Sequence, residues 1–235
     1  EETKDIHDQL IQLITHLSQK NIDLVIEEKT QKQIKLNKFK SLPLNEIAKQ
    51  VDIAIVVGGD GTMLGVARAL IDTGIPLIGI NQGRFGFLTD LNINSMFSSI
   101  DSILDGFYIQ DNRMLIETTI VRNDKKIYES FALNDIVIRS GLRLIELEVI
   151  IDGRFVHTQR SDGLIASTPT GTTAYALSAG GPIIHPNLDA ITIVPISPHT
   201  LSNRPISVGG DSEILIKIVN MDEAYASIDG QIQIP

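Results

Sequence analysis

A short glycine-rich turn carries the residues best suited to chemistry. The apolar run Ile53–Val57 leads into Gly58-Gly-Asp-Gly-Thr62, and a helix is predicted from about residue 62. Glycines let the backbone approach a ligand closely, and the N–H groups at a helix start attract phosphate. A carboxylate beside phosphate is repulsive unless it binds a metal or accepts a proton from a nucleophile, and phosphoryl transfer uses acids in both ways. The alternative is an ordinary strand-to-helix turn with Asp60 or Thr62 as the N-cap.

A second loop, Asn81–Asp90, follows the apolar run Ile75–Ile80. The carboxyl ends of parallel strands meet at one edge of a sheet, where open α/β sheets bind ligands. We therefore expect this loop to lie beside the glycine turn. Phe87 is a candidate to pack on a flat base, and the alternative is that it only plugs the loop.

Two further stretches suit the groups of a nucleoside. Asn134-Asp135 lies in the apolar run Leu133–Ile138, so one of the two side chains can point inward, although a strand-end Asx turn explains it equally. Gln159–Tyr175 is rich in small hydroxyl residues and runs from a strand into a Thr/Gly turn and a short helix near 173–179. An ST turn with capping threonines is the alternative there.

The hydrophobic period changes near residue 112 and predicts two domains. Residues 1–112 alternate helices (6–17, 43–50, 62–72, 93–105) with strands (23–27, 53–57, 75–80), which is typical of a Rossmann-like doubly wound α/β sheet. The Lys-rich stretch 29–42 is predicted to be a loop. Residues 113–235 are predicted to form a β-rich, sandwich-like domain, with hairpin turns at Asn123-Asp124 and Asp152-Gly153. Its predicted strands are 115–121, 126–131, 133–138, 144–151, 154–158, 163–167, 191–196, 213–219 and 224–228.

Composition excludes several classes of function. The chain of 235 residues has a net charge of −9, which disfavours a broad nucleic-acid face, and no long apolar run indicates a membrane span. It has no Cys, so thiolate catalysis and disulfides are excluded, and a cytoplasmic location is expected. The five histidines show no metal-ligand spacing, so metal ligands stay unassigned.

Four motifs in this order resemble the NAD kinase family of the bacterial type. They are Gly58–Thr62, Asn134-Asp135, Ser161–Tyr175 and Asp229-Gly-Gln231, and the likeness extends from about residue 51 to 231. The glycine turn alone is also found in lipid kinases and phosphofructokinases, whereas the long threonine motif is specific.

The resemblance implies transfer of the γ-phosphate of ATP to the 2′-hydroxyl of the adenosine ribose of NAD, with a divalent cation, usually Mg²⁺. It implies that Asp60 is the general base, and that Gly58, Gly59, Gly61 and Thr62 form the phosphate loop. The implied NAD-binding residues are Asp60, Gly61, Asn134, Asp135, Arg143, Arg160, Asp162, Thr173, Ala174, Tyr175, Ala176, Leu177, Ser178 and Gln231. Family members are commonly homodimers or homotetramers and usually extend beyond both ends of this chain, so we expect the sequence to be truncated.

The sequence alone leaves two other classes of protein open as alternatives. A lipid kinase of the diacylglycerol or sphingosine type shares the glycine turn, but it needs an apolar groove. A non-catalytic nucleotide-binding sensor would keep the pockets without needing an acid in the phosphate loop.

Overall fold

The computed structural model describes residues 2–82, 86–141, 143–199, 203–219 and 224–235. The chain divides into two compact units, Glu1–Gln110 and Asp111–Pro235. The change of hydrophobic period lies at residue 112. In the described part of the chain, no helix is both long enough and apolar enough to cross a membrane.

The first unit alternates helices and parallel strands. Its helices are α1 (Glu2–Ser18), α2 (Glu28–Ile34), α3 (Leu44–Ile47), α4 (Asp60–Ala69) and α5 (Met96–Leu104). Its strands are β1 (Val25–Glu27), β2 (Lys40–Leu42), β3 (Ala54–Val57), β4 (Leu77–Asn81) and β5 (Leu91–Asn92). Strands β1 and β2 pair in parallel, and β3, β4 and β5 form a second parallel sheet in that order.

The apolar face of α1 covers the second of these sheets. Leu13 and Leu17, four residues apart, are buried against Ile80 of β4 and against Met96 and Ile100 of α5. Residues three and four apart share one side of a helix, so this contact follows from the spacing in the sequence. Strands β3 and β4 run side by side with Val57 opposite Ile80, which brings the loops after them to one sheet edge, as expected.

The predicted loop at 29–42 is wrong. Residues 28–34 form α2 and residues 40–42 form β2. The carboxylate of Glu27 accepts a hydrogen bond from the N–H of Thr30 (2.8 Å) and caps the helix. Ile34 is buried with Ile14 and Ile26, and Leu36 and Phe39 pack against the same cluster, so a few apolar side chains hold this polar stretch against the core.

The second unit is nearly all antiparallel strands. They are β6 (Ile116–Arg122), β7 (Lys125–Ala132), β8 (Asp135–Ser140), β9 (Ile145–Ile151), β10 (Arg154–Ser161), β11 (Gly163–Ser167), β12 (Ala190–Ile196), β13 (Ile206–Gly209), β14 (Ile214–Ile218), β15 (Ala224–Ile228) and β16 (Ile232–Ile234). A 3-10 turn (Thr170–Thr173) leads into the short helix α6 (Tyr175–Ser178). Strands β13 and β16 were not expected from the sequence pattern.

Both predicted hairpin turns are confirmed. Asn123 and Asp124 join β6 to β7 with φ of 51° and 58°, and Asp152 and Gly153 join β9 to β10 with φ of 50° and 73°. Two successive residues with positive φ make a turn whose twist matches that of the paired strands, and Asn, Asp and Gly tolerate this region best.

Two sheets face each other around an aliphatic core. One has the order β13-β12-β11-β8-β15-β16, and the other has the order β10-β9-β14. Alternate residues of β9 (Ile145, Leu147 and Val149) are buried against Leu164 of β11 and Ile193 of β12. The predicted architecture, an α/β domain followed by a β-rich, sandwich-like domain, is confirmed.

Candidate active site

The glycine turn joins β3 directly to α4. The helix begins at Asp60, two residues earlier than the pattern indicated, and its N-cap is Gly59, which has no side chain to cap it. The alternative in which Asp60 or Thr62 serves as N-cap is therefore wrong. A Cβ atom at Gly58 would lie 2.7 Å from the hydroxyl of Thr62, so the turn needs glycine there. Gly59, Gly61 and Thr62 are exposed.

The carboxylate of Asp60 joins the two loops at the sheet edge. Its Oδ2 accepts a hydrogen bond from the N–H of Phe87 (2.8 Å), and its Oδ1 accepts one from the N–H of Leu88 (3.1 Å). A Cβ atom at Gly86 would overlap Asp60 Oδ1, so this close approach requires glycine. Asp60 is thus held in place by the second loop as well as by its own helix.

Phe87 lies on the surface of that loop. Its side chain is 62% exposed, which is incompatible with the role of a hydrophobic plug. Residues 83–85, which belong to the same loop, lie outside the described residues.

In the second unit, the carboxylate of Asp229 fixes the start of β8. It accepts hydrogen bonds from the N–H groups of Leu133 (3.0 Å), Asn134 (2.7 Å) and Asp135 (3.0 Å). Asn134 therefore lies in a bend, and Asp135 is the first residue of the strand. The chain turns at Asp229 with a φ of 52°.

This bend opens on a cavity of about 360 Å³, which is large enough for a nucleoside. The predicted site residues Asn134, Asp135, Ala174 and Tyr175 line it together. The Oδ1 atom of Asn134 is buried and has no hydrogen-bond partner among the described residues. Burial, together with the charge of Asp229, raises the pKa of Asp135 to about 6.

Hydroxyl groups of the threonine motif form hydrogen bonds to other groups of the protein. Thr168 donates to the carbonyl of Leu133 and accepts from the N–H of Gly171, and Thr172 donates to the carbonyl of Pro169. These contacts correspond to the ST-turn alternative at Thr168–Thr172. The N–H of Thr168 also donates to the carbonyl of Asn134 (2.8 Å), so the motif buttresses the bend that carries Asn134.

Other predicted residues do not line this cavity. Thr173 ends the 3-10 turn, Ala176 is fully buried in the core, and Leu177 and Ser178 are exposed on α6. The remaining four are exposed: Arg143 before β9, Arg160 on β10, Asp162 between β10 and β11, and Gln231 between β15 and β16.

Other residues that line the cavity were not predicted from the sequence. They are Val137, Arg139, Tyr225, Ser227, Asp229, Gly230 and Gln233, of which Asp229 and Gly230 belong to a motif in which only Gln231 had an assigned role. The guanidinium of Arg139 lies 5.6 Å from the ring centroid of Tyr225. Alternation along β8 places residues 135, 137 and 139 on one face, but the pairing of β8 with β15 could not be read from local pattern.

The features of this chain are those of a phosphotransferase of the kinase class. The α/β unit carries a glycine turn with an acid, and the β-rich unit carries a nucleoside-sized cavity. The models of the ATP-NAD kinase N-terminal domain and C-terminal domain match residues 4–108 and 133–235. The chain belongs to the ATP-NAD kinase family. The family and the enzyme class expected from the sequence are confirmed.

Curated relatives support this family assignment. The chain is 50% identical to the NAD kinase of Nitrosomonas europaea, over 91% of this chain and 73% of the relative. It is 44% identical to that of Cupriavidus pinatubonensis, over 97% and 76% of the two chains.

Similar solved structures also support this family assignment. A crystal structure of yeast NADH kinase complexed with NADH has a TM-score of 0.88 at 27% identity, covering 96% of this chain and 71% of that one. An Archaeoglobus fulgidus NAD kinase in complex with ATP has a TM-score of 0.73 at 27% identity, covering 90% and 85%.

Proposed function

We propose that this chain transfers the γ-phosphate of ATP to the 2′-hydroxyl of the adenosine ribose of NAD, giving NADP. The names of its relatives support both substrates. The observation that carries the proposal is the buried, unpartnered Oδ1 of Asn134 in a nucleoside-sized cavity. A buried acceptor without a partner costs about 1–3 kcal/mol, which a donor on the ligand recovers.

The cavity holds the adenosine part of NAD. Asn134 Oδ1 accepts a hydrogen bond from an N–H or O–H of the nucleoside, and Tyr175 provides a ring beside the base. Asp135 contacts a ribose hydroxyl. Because its pKa is raised to about 6, both its protonated and its charged form are accessible near neutral pH.

Asp60 is the general base in this proposal. It takes the proton of the ribose hydroxyl while that oxygen bonds to the γ-phosphorus and ADP leaves. The glycine turn at residues 58–62 cradles the phosphates with backbone N–H groups. A general base contributes a factor of about 10²–10⁴ to the rate.

The divalent cation, Mg²⁺, is expected to enter with ATP. Among the described residues, no group of three His, Cys, Asp or Glu side chains is placed to hold a metal ion. Mg²⁺ commonly binds through substrate phosphates with few protein ligands, and it supplies charge neutralisation there. We assign no protein ligand to it.

The remaining assignments complete the proposal. Arg143, Arg160, Asp162, Gln231 and the segment 173–178 would contact other parts of NAD, as the family resemblance implies. We further propose that the chain works in the cytoplasm as a homodimer or homotetramer.

One assay tests the function. Purified protein is incubated with Mg-ATP and NAD, and NADP is quantified by an NADP-specific dehydrogenase. We expect NADP to form with Mg²⁺ and to be lost when EDTA removes it. Tight NAD binding without product would favour a nucleotide sensor, and phosphorylation of diacylglycerol instead of NAD would favour a lipid kinase.

A further inference from the structure

A buried line of hydrogen bonds runs from the end of β4 to the carboxylate of Asp60. The amide Nδ2 of Asn81 donates to the hydroxyl of Thr89 (3.0 Å), and this hydroxyl donates to Asp60 Oδ1 (3.4 Å). Thr89 is fully buried and Asn81 is 6% exposed. Polar groups buried at this depth, shielded from water, keep a fixed partner.

The hydrogen bonds of this line all donate towards Asp60, and the amide of Asn81 sets that orientation. A threonine hydroxyl has one hydrogen to donate and two lone pairs to accept with. Because an amide N–H points at the oxygen of Thr89, the hydroxyl hydrogen is left to point at Asp60. An acceptor in place of that amide would turn the hydrogen away from Asp60.

The two oxygens of Asp60 are therefore unequal. Oδ1 accepts from the N–H of Leu88 and from the hydroxyl of Thr89, whereas Oδ2 accepts only from the N–H of Phe87 among the described residues. Oδ2 thus has the greater remaining capacity to take a proton.

We propose that Asn81 and Thr89 are positioning residues that lock the carboxylate of Asp60 so that Oδ2 receives the proton of the substrate hydroxyl. The inference rests on the proposed function, since it assigns a role around the same general base. Neither residue touches substrate in this role. They act through the orientation of Asp60, which sets the geometry of proton transfer.

The first test compares Thr89→Val with Thr89→Ser. Valine keeps the shape and removes the hydroxyl, whereas serine keeps the hydroxyl. We expect kcat for NADP formation to fall about 10-fold to 100-fold in Thr89→Val, as for loss of a hydrogen bond to a charged group. KM for NAD and for ATP should stay within about twofold, and Thr89→Ser should recover most of kcat.

Thr192→Val is the matched control. Thr192 is also fully buried, and its hydroxyl bonds to Ser207 in the second unit. The substitution Thr192→Val changes the same atoms at an equally buried site. The loss of thermal stability that it causes shows how much of the loss in Thr89→Val comes from burial alone. Its kcat should be unchanged.

A second variant, Asn81→Asp, tests the direction of the line. A carboxylate at this position accepts from the hydroxyl of Thr89 and draws the hydrogen away from Asp60. We expect a loss of kcat similar to that of Thr89→Val. The double variant should be no worse than the more impaired single one, because both changes break one line.

Three results would overturn the inference: wild-type kcat in Thr89→Val, equal impairment of the Val and Ser variants, or additive effects in the double variant. Failure of the proposed function is distinguishable, since wild-type protein would then form no NADP. That result would overturn the positioning role together with the function.

Discussion

The candidate sites of the two units differ in how their polar groups are paired. Around Asp60, the carboxylate already accepts hydrogen bonds from three groups of the second loop, which are the N–H groups of Phe87 and Leu88 and the hydroxyl of Thr89. In the cavity of the second unit, Asn134 Oδ1 has no partner, and Asp135 lies against the charge of Asp229 with a raised pKa.

This difference separates two physical tasks. A group that must meet a developing charge gains from being fixed beforehand, because no reorganisation is then needed at the moment of reaction. A group that must recognise a ligand gains from lacking a partner, because the ligand then recovers its desolvation cost. We therefore expect substitutions near Asp60 to act on kcat, and those in the cavity to act on KM and stability.

The largest effect is expected from Asp60→Asn. The amide cannot take a proton, so kcat should fall by a factor of about 10²–10⁴, while NAD binding is kept. Steady-state kinetics and calorimetric titration with NAD measure the two quantities. Near-normal turnover would contradict the assignment of Asp60.

The next effect concerns the contact between the two loops of the first unit. In Gly86→Ala, the new methyl group would overlap Asp60 Oδ1, so the carboxylate has to move. We expect kcat to fall about tenfold or more, because small misplacements of a catalytic group are costly, with KM for NAD little changed. An increase in KM alone would break the proposed division of tasks.

In the second unit, Asn134→Ala should act on binding. Loss of the recognition contact is expected to raise KM for NAD about tenfold, with kcat within about threefold. Stability should not fall by more than the small packing loss, since Asn134 Oδ1 has no partner. Thr168→Val is the contrast, because its hydroxyl is bonded on both sides and its loss should cost about 1–2 kcal/mol of unfolding free energy.

The smallest effect is a pH dependence of stability. Burial and the charge of Asp229 raise the pKa of Asp135 from 3.8 to about 6 in the folded protein. The folded state then binds this proton more tightly than the unfolded state, so the contribution of Asp135 is most favourable at low pH and is lost as pH rises through about 6.

Asp135→Asn should remove this dependence. Between pH 5 and pH 7.5, the change in unfolding free energy should be smaller by about 1 kcal/mol in the variant than in the wild type. Urea unfolding at both pH values measures it, with Asp124→Asn in the exposed β6–β7 turn as the control. Equal pH dependence in wild type and Asp135→Asn would show that Asp135 titrates normally.

Local pattern was sufficient for much of the fold. The strands 163–167 and 224–228 were predicted to the residue, and both two-residue hairpin turns were found from Asn, Asp and Gly. It failed at α2, where Ile34 joins a core assembled from Ile14 and Ile26, which are distant in the sequence. A helix stabilised mainly by tertiary burial leaves little trace in its own composition.

For the candidate site, residue type and spacing predicted which residues carry chemistry, and tertiary structure decided how these residues are held. The glycine turn with Asp60, the pair Asn134-Asp135 and Tyr175 follow from residue type and spacing. The hydrogen bonds from the start of β8 to Asp229 join residues that are 94 to 96 positions apart. The hydrogen bonds from Asn81 through Thr89 to Asp60 connect the second loop to the glycine turn. Such hydrogen bonds, and the raised pKa of Asp135, depend on distances and burial that exist only once the chain has folded.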